Sequence, residues 1–251
     1  SISERKSIVE KLEKFSVKIK LMPVMSDIIN GKTKINNLKN ITIEEILERE
    51  IIPPIEELMT PDIKNRNVLV TGAGGSIGSE LCKEIIKNGP KTLILLDSSE
   101  FALYQINSEL NQEIENNSLK IKLIPLLGLI QNKELLKRIF SYFNVNTLYH
   151  AAAYKHVPLL EQNVIEGIRN NTIGTKTLIE AAIKAKINKF VLISTDKAVR
   201  PTNFMGASKR LSELICQSFA KRNSPTIISI VRFGNVMGSS GSVIPLFKKQ
   251  I

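Results

Sequence analysis

Thr195, Asp196 and Lys197, consecutive in the stretch STDKAVR, bring together a hydroxyl, a carboxylate and an amine. That is a set of groups through which a proton can be taken up, held and returned. They follow the apolar run Phe190 to Ile193, which reads as a buried strand. In a straight strand Asp196 and Lys197 would point to opposite faces, so both reach one ligand only if the chain turns there. The alternative is a surface ion pair at a strand end. Met205 and Lys209 lie four apart at the start of the next helical pattern, hence on one face, although a helix lysine alone reads as solvated. His150 and His156 are the only histidines. They lack the acidic or thiol companions of a metal site, so no metal is expected and each reads as a hydrogen-bonded strand-end or loop residue.

A second set of residues suits an anion. In NVLVTGAGGSIGSE, Val68 to Val70 form a short β-like run that meets Gly72, Gly74, Gly75 and Gly78, and a helical pattern follows from Ile77. Gly72 lets the chain leave the strand, and Gly74 and Gly75 let backbone N–H groups approach a pyrophosphate. Gly78 lets the helix, opened by Ser76 and Ile77, pack close to the strand with its N-terminal dipole toward the anion. A second β-like run, Thr92 to Leu96, ends in Asp97, placed to accept ribose hydroxyls and to repel a 2'-phosphate, which argues for NAD over NADP. The alternative is a glycine-rich hairpin without a ligand.

These residues need a frame. Strands are predicted near 68–71, 92–97, 120–124, 146–150, 190–194 and 227–232, with helices near 76–88, 99–116, 132–143, 160–185 and 206–222. Such alternation predicts an α/β fold, a Rossmann-type doubly wound parallel sheet with helices on both faces and ligands at the carboxyl ends of the strands. Three stretches follow strands: HAAAYKHVPLLE, STDKAVR and RFGNVMGSSGSVIPLF. In the first, Ala151 to Ala153 offer a surface without bulk for a flat cofactor. Residues 1–66 read as a separate N-terminal region. It holds helices over Ser3 to Phe15, Val24 to Ile29 and Ile43 to Arg49, an extended piece KIKLMP and a turn at Asn30-Gly31. Pro53, Pro54 and Pro61 stiffen a connector into the first strand. Residues 67–251 form the second domain.

The balance of 35 Lys+Arg against 24 Asp+Glu gives a formal charge of +11, which by itself admits nucleic acid, an anionic membrane or phosphorylated substrates. The lysines are dispersed, without aromatic interleaving and without Trp, so nucleic-acid binding is not expected and a solvated basic surface is. Cys82 and Cys216 fall within helical patterns, as reduced buried thiols of a cytosolic protein would. No apolar run has the length of a membrane span and no signal peptide is visible, so the chain as given reads as soluble.

Taken together, TGAGGSIGSE, Asp97, HAAAYKHVPLLE, NNTIGT (Asn170 to Thr175), STDKAVRPTNFMGASKR and VRFGNVMGSSGSVIPLF resemble the extended short-chain dehydrogenase/reductase superfamily. Within it the chain is similar to the membrane-anchored UDP-N-acetylglucosamine 4,6-dehydratases of the PglF and CapD type. KIKLMPVMSDIINGK resembles the cytoplasmic stretch that precedes their catalytic domain. The resemblance implies a lyase with NAD as cofactor and a UDP-sugar as substrate, serving bacterial polysaccharide biosynthesis or protein glycosylation. Hydride leaves C4, water is eliminated across C5 and C6, and hydride returns to C6. It implies Asp196 as the acid, Lys197 as the C5 base and Lys209 as the lysine that holds the nicotinamide ribose. Cofactor contacts are implied at Gly72, Gly74, Gly75, Ser76, Ile77, Gly78, Asp97, Ala151 and Ala152, and substrate contacts at Lys155, His156, Asn171, Met205 and Asn235.

Three departures from the pattern shape these expectations. Met205 stands where the superfamily usually has a tyrosine, so Thr195 is expected to help remove the 4-hydroxyl proton, as in the branch that retains configuration at C5. Leu129 follows Gly128 where an aspartate that binds the adenine amino group is expected, which predicts weaker NAD binding. The chain ends before most of the substrate lobe, so it reads as a fragment with that lobe truncated. The full-length protein is expected at the cytoplasmic face of the inner membrane, anchored through segments absent here, and as a possible homo-oligomer. The competing readings are a UDP-sugar 4-epimerase and an NAD-binding module without catalysis.

Overall fold

The structure is a computed structural model that describes residues 55–222 and 224–236, with two short strands, Lys20–Leu21 and Lys39–Asn40. Those two strands pair antiparallel within a first unit, Ser1–Pro54. The three helices and the turn expected in that region lie outside the described residues, as does the stretch after Val236.

In the second unit six strands pair in parallel: β1 (Asn67–Thr71), β2 (Thr92–Asp97), β3 (Lys122–Leu127), β4 (Thr147–His150), β5 (Lys189–Thr195) and β6 (Ile227–Phe233). Their order across the sheet is β3-β2-β1-β4-β5-β6, so the winding reverses between β1 and β4 and opens a crevice there. The helices are α1 (Glu56–Ile63), α2 (Ser76–Lys87), α3 (Glu100–Asn116), α4 (Lys133–Phe143), α5 (Val157–Gln162), α6 (Val164–Gly167), α7 (Gly174–Lys184) and α8 (Phe204–Ala220). Right-handed crossovers from a sheet that winds both ways must cover both faces. Alternation along each strand then sorts the core. Val68, Val70, Leu93 and Leu95 pack with Ile63 of α1, Cys82, Ile85 and Ile86 of α2, and Leu103 and Ile106 of α3. Leu69, Ile94, Leu96, Leu148, Phe190 and Leu192 pack on the other face with Leu136 and Ile139 of α4, Leu178 and Ile179 of α7, and Cys216 of α8. Both cysteines are free and buried, as expected.

The structure differs from the sequence reading in three places. The unit that holds the sheet begins at Ile55 rather than at Asn67. The segment read as a proline-stiffened connector is α1, with Pro61 inside it. A proline there removes one i→i−4 bond, and the helix is held instead by the sheet. Ile63 is fully buried, Thr147 Oγ1 donates to the Asp62 carbonyl at 2.7 Å, and Lys189 pairs with the Asp62 carboxylate. The long helix expected over 160–185 is broken into α5, α6, a π-helical turn Ile168–Ile173, and α7. A π turn carries one more residue than an α turn and is used where side chains must be re-aimed; here it carries Asn170 and Asn171. Finally, a 3-10 turn, Asp196–Ala198, follows β5.

Candidate active site

The glycine turn after β1 is closed by its neighbours almost everywhere. Gly72 has φ +68°, which a side chain rarely adopts, and a Cβ there would lie 2.6 Å from the Ala152 backbone of the loop after β4. A Cβ on Gly78 would lie 2.0 Å from the Gly72 carbonyl oxygen, so α2 runs as close to β1 as expected. Gly74 differs from the expectation. Its Cα faces Ala102 of α3, and its N–H is donated to Asp97 Oδ2 at 2.8 Å rather than offered to an anion. Gly75 remains the open, exposed position, its nearest neighbour 3.3 Å from an added Cβ. It is the N-cap of α2, which has no side-chain cap and no acidic residue in its first turn. The start of α2, with Ser76 and Ile77, thus keeps its positive end for a ligand.

Gly72, Gly74 and Gly75 edge a cleft of about 260 Å³ that also touches Asp97, Ala102, Leu129, Ala151, Ala152 and Asn170. Asp97 accepts from Gly74 N and from Ser99 N at 2.9 Å. A carboxylate has about four acceptor sites, so two remain for ribose hydroxyls. An open glycine, an uncapped helix start and a carboxylate with spare acceptors fit a dinucleotide.

On the other side of the crevice, the 3-10 turn supplies the bend that Asp196 and Lys197 need to act together. Thr195 Oγ1 donates to Asp196 Oδ1 at 3.0 Å, and Lys197 Nζ lies 3.4 Å from the same oxygen. Lys197 Nζ also donates to Asn235 Oδ1 at 2.8 Å, which brings the segment after β6 to the cluster. The Thr195 hydrogen bond and the Lys197 charge hold the Asp196 carboxyl below its ordinary range. Asp196 therefore rests as an anion. The Lys197 side chain is 37 % exposed.

Beneath this cluster lies a buried polar network that sequence reasoning largely missed. Lys209 is 5 % exposed, donates to the Ile193 carbonyl at 2.7 Å, and burial lowers its pKa to about 8. Two of its three donors are left for a ribose. Met205, 5 % exposed, lies on the same helix face as Lys209. Asn171 does not line the cleft as a substrate residue. It is 1 % exposed; its Oδ1 accepts from Tyr154 N, and its Nδ2 donates to the Tyr154 carbonyl and to Ser208 Oγ. Its amide clasps the loop after β4 to the π turn and α8. Lys155 and His156 sit exposed on that loop.

His150 is fully buried between two hydroxyls, Thr71 Oγ1 at 2.8 Å from Nδ1 and Thr175 Oγ1 at 2.9 Å from Nε2. The Thr175 hydroxyl spends its proton on the Asn171 carbonyl at 2.5 Å. It must then accept from Nε2–H, which leaves Nδ1 to accept from Thr71. Burial, with Lys209 nearby, pushes the His150 pKa down to about 3, so the ring is neutral.

Glu213, with no solvent exposure, accepts from Ser194 Oγ at 2.6 Å, Arg232 Nε at 2.7 Å, Arg232 Nη2 at 2.6 Å and Arg210 Nη1 at 3.0 Å. Burial opposes its charge, but these donors outweigh it and bring the pKa to about 2. A signal for the network was present: Met205, Ser208, Lys209, Ser212, Glu213 and Cys216 repeat at helical spacing, a mostly polar stripe on the face that α8 turns to the sheet.

A family model described as polysaccharide biosynthesis protein matches residues 68–251. The capsular polysaccharide biosynthesis protein CapD of Staphylococcus aureus is 46 % identical over 230 residues, 92 % of this chain and 38 % of that protein. The UDP-N-acetylglucosamine 4,6-dehydratase (inverting) of Campylobacter jejuni is 34 % identical, covering 74 % of this chain and 54 % of that protein. A UDP-glucose 4-epimerase of Rickettsia rickettsii is 36 % identical with the same coverage. The chain thus spans about half the length, or less, of these relatives. Among solved structures, Pen from Bacillus thuringiensis matches with a TM-score of 0.68 and 36 % identity, covering 76 % of this chain and 58 % of that one. The dTDP-glucose 4,6-dehydratase DesIV of Streptomyces venezuelae, solved with NAD and TYD bound, matches with a TM-score of 0.61 at 23 % identity, covering 73 % and 61 %; at that distance the likeness is one of fold. A sheet of order 3-2-1-4-5-6 and a family model that spans nearly all of it lead to one conclusion: this chain belongs to the polysaccharide biosynthesis protein family, within the extended short-chain dehydrogenases/reductases.

Proposed function

We propose that this chain carries the catalytic site of an NAD-dependent dehydratase that converts UDP-N-acetylglucosamine to a UDP-4-keto-6-deoxy sugar with C5 configuration retained, for bacterial glycan biosynthesis. The observation that carries the reading is the hydrogen-bonded set Thr195, Asp196 and Lys197 on one turn at the carboxyl end of β5. β5 lies beside β4, whose following loop walls the dinucleotide cleft. Bound NAD supplies a reversible hydride acceptor, taking hydride from C4 and returning it to C6. Gly75, the start of α2 and Asp97 would hold its phosphates and ribose, with Lys209 at the second ribose.

The protein's own residues then account for the protons. Thr195 Oγ1 receives the 4-hydroxyl proton as it passes its own to Asp196 Oδ1, the acceptor it already faces at 3.0 Å. This loads a carboxylate that rests as an anion, and Asp196 becomes the acid that protonates the departing C6 hydroxyl. Lys197 takes the C5 proton once the ketone at C4 has made it acidic, and water leaves across C5 and C6. As hydride comes back to C6, Lys197 returns a proton to C5 on the same face, which retains the configuration. Met205 cannot exchange a proton, which is why the hydroxyl of Thr195 is needed. The full-length protein works at the cytoplasmic face of the inner membrane as a homo-oligomer; among the described residues no helix is long and apolar enough to cross a membrane.

In the full-length protein that contains this chain, Lys197→Met is expected to abolish solvent-deuterium incorporation at C5 while C4 oxidation stays detectable. Undiminished exchange removes Lys197 from the mechanism. The epimerase relatives support a second reading, in which hydride returns to C4 and no group need protonate C6. Product mass separates the two, because only the dehydratase product is lighter by one water.

A further inference from the structure

We propose that the cleft holds the cofactor's base by apolar contact at Leu129 and does not read its hydrogen-bonding edge, so that dinucleotides of adenine and hypoxanthine bind alike. The inference rests on the cleft being a dinucleotide site. Phosphates at the start of α2 and a ribose on Asp97 direct the attached base away from β1, toward Gly128 to Ile130 after β3. What the base meets there is carbon. Leu129 lines the cleft and is 51 % exposed, so its side chain is open to a base placed there.

Several polar groups at this end are already engaged. The Gly128 N–H donates to the Asp97 carbonyl at 2.8 Å, and the Leu129 carbonyl accepts from Asn132 N at 3.1 Å. Asn170 accepts from Gln131 Nε2 at 3.0 Å and donates to Asn171 Oδ1 at 3.2 Å. Among the described residues that line the cleft, Asp97 is the one carboxylate, and its oxygens face Gly74 and Ser99. Adenine presents an amino donor and a ring acceptor at its edge; hypoxanthine presents a carbonyl acceptor and a ring donor. A site built to hydrogen-bond one pattern rejects the other, because its own buried groups are left unpaired. A leucine wall has no such group to leave unpaired.

The test is titration calorimetry of the 251-residue chain with NAD and with nicotinamide hypoxanthine dinucleotide, no UDP-sugar present. The expected dissociation constants agree within about threefold. In Leu129→Asp the new acceptor is expected to raise the preference for NAD to about tenfold or more. The exposed position loses no core contact, and a thermal melt checks that the variant is folded. A wild-type preference for NAD of about tenfold or more, or a folded variant with an unchanged ratio, overturns the inference. If neither dinucleotide binds, the cofactor reading falls and this inference with it. Equal binding of both here, with no turnover of UDP-N-acetylglucosamine by the full-length protein in a separate assay, supports it while sinking the dehydratase assignment.

Discussion

On the β1–β3 side of the sheet the chain meets itself through carbon and bare backbone, whereas on the β4–β6 side it meets itself through hydroxyls, amides and charges. Among the described residues, the buried polar or charged side chains before Thr147 are Thr71 and Thr92 alone. After it come His150, Asn171, Thr175, Ser194, Ser208, Lys209, Ser212 and Glu213, most of them bonded to one another. On the proposed function, the first side needs only to let an anion approach a backbone, and small residues suffice. The second would have to hold Thr195, Asp196 and Lys197 in fixed orientation, and low-dielectric hydrogen bonds do this more rigidly than apolar contacts. The two sides should therefore break differently, one through volume and the other through charge and pH.

The largest effect is expected from volume on the first side. Gly78→Ala drives a methyl to 2.0 Å from a backbone oxygen that has no rotamer to escape into. It should cost about 3 kcal/mol, seen as a lower urea midpoint with an unchanged slope. A loss below about 1 kcal/mol would mean that α2 can slide on β1, and the contrast with the second side would weaken. On that second side Glu213→Gln keeps the volume and removes the charge. With Arg210 and Arg232 each more than a third exposed, water recovers part of the loss, and about 2 kcal/mol is expected by the same measurement.

The titrations carry signs that can be worked out. His150 has a pKa of about 3 in the folded chain against an ordinary 6.5. Below pH 6.5 the unfolded chain binds a proton that the folded chain refuses. Stability therefore falls as pH drops from 6.5 toward 3, by about 1.4 kcal/mol per pH unit. Glu213, depressed from 4.5 to about 2, adds to the loss between those values. Lys209 acts at the other end: above pH 8 the folded chain sheds a proton that the unfolded chain keeps to 10.5, so stability rises. Burial raises the thiols of both Cys82 and Cys216 above their ordinary 9.0, and the two together outweigh that gain above pH 9. Stability should peak near pH 9, and His150→Gln should flatten the fall between pH 6.5 and 4.5 in urea titrations. An unchanged slope in that variant would clear His150 of the titration.

The two sides also differed in how far the sequence revealed them. The glycine turn and Asp97 were readable because their constraint is local: Gly72 and Gly78 are six apart, and each is small for a reason that lies within the turn or in the adjacent strands. The carboxyl end of β5 was readable as a site because polar residues stop an apolar run there. The clasp at Asn171 was not. Its partners Tyr154 and Ser208 lie 17 and 37 residues away, and the π turn that aims it leaves no mark in a helical pattern of ordinary period. Helix α1 was hidden by Pro61, since its stability comes from docking Ile63 and Asp62 on the sheet and not from its own propensity.

The smallest effect on stability sharpens the contrast most. Gly75 has negative φ and a single neighbour, the Gly72 carbonyl oxygen 3.3 Å from an added Cβ, a tight contact that a small shift relieves, so Gly75→Ala should change the unfolding free energy by no more than about 1 kcal/mol. If the open floor of the turn exists for a pyrophosphate, the same methyl occupies the space the phosphate needs, and NAD affinity should fall by about tenfold or more. Gly78→Ala loses affinity only because it loses the fold; Gly75→Ala separates the two. Measured together by urea unfolding and titration calorimetry, an alanine at 75 that leaves both quantities unchanged would mean that the anion does not sit on this turn. The glycines would then serve packing alone.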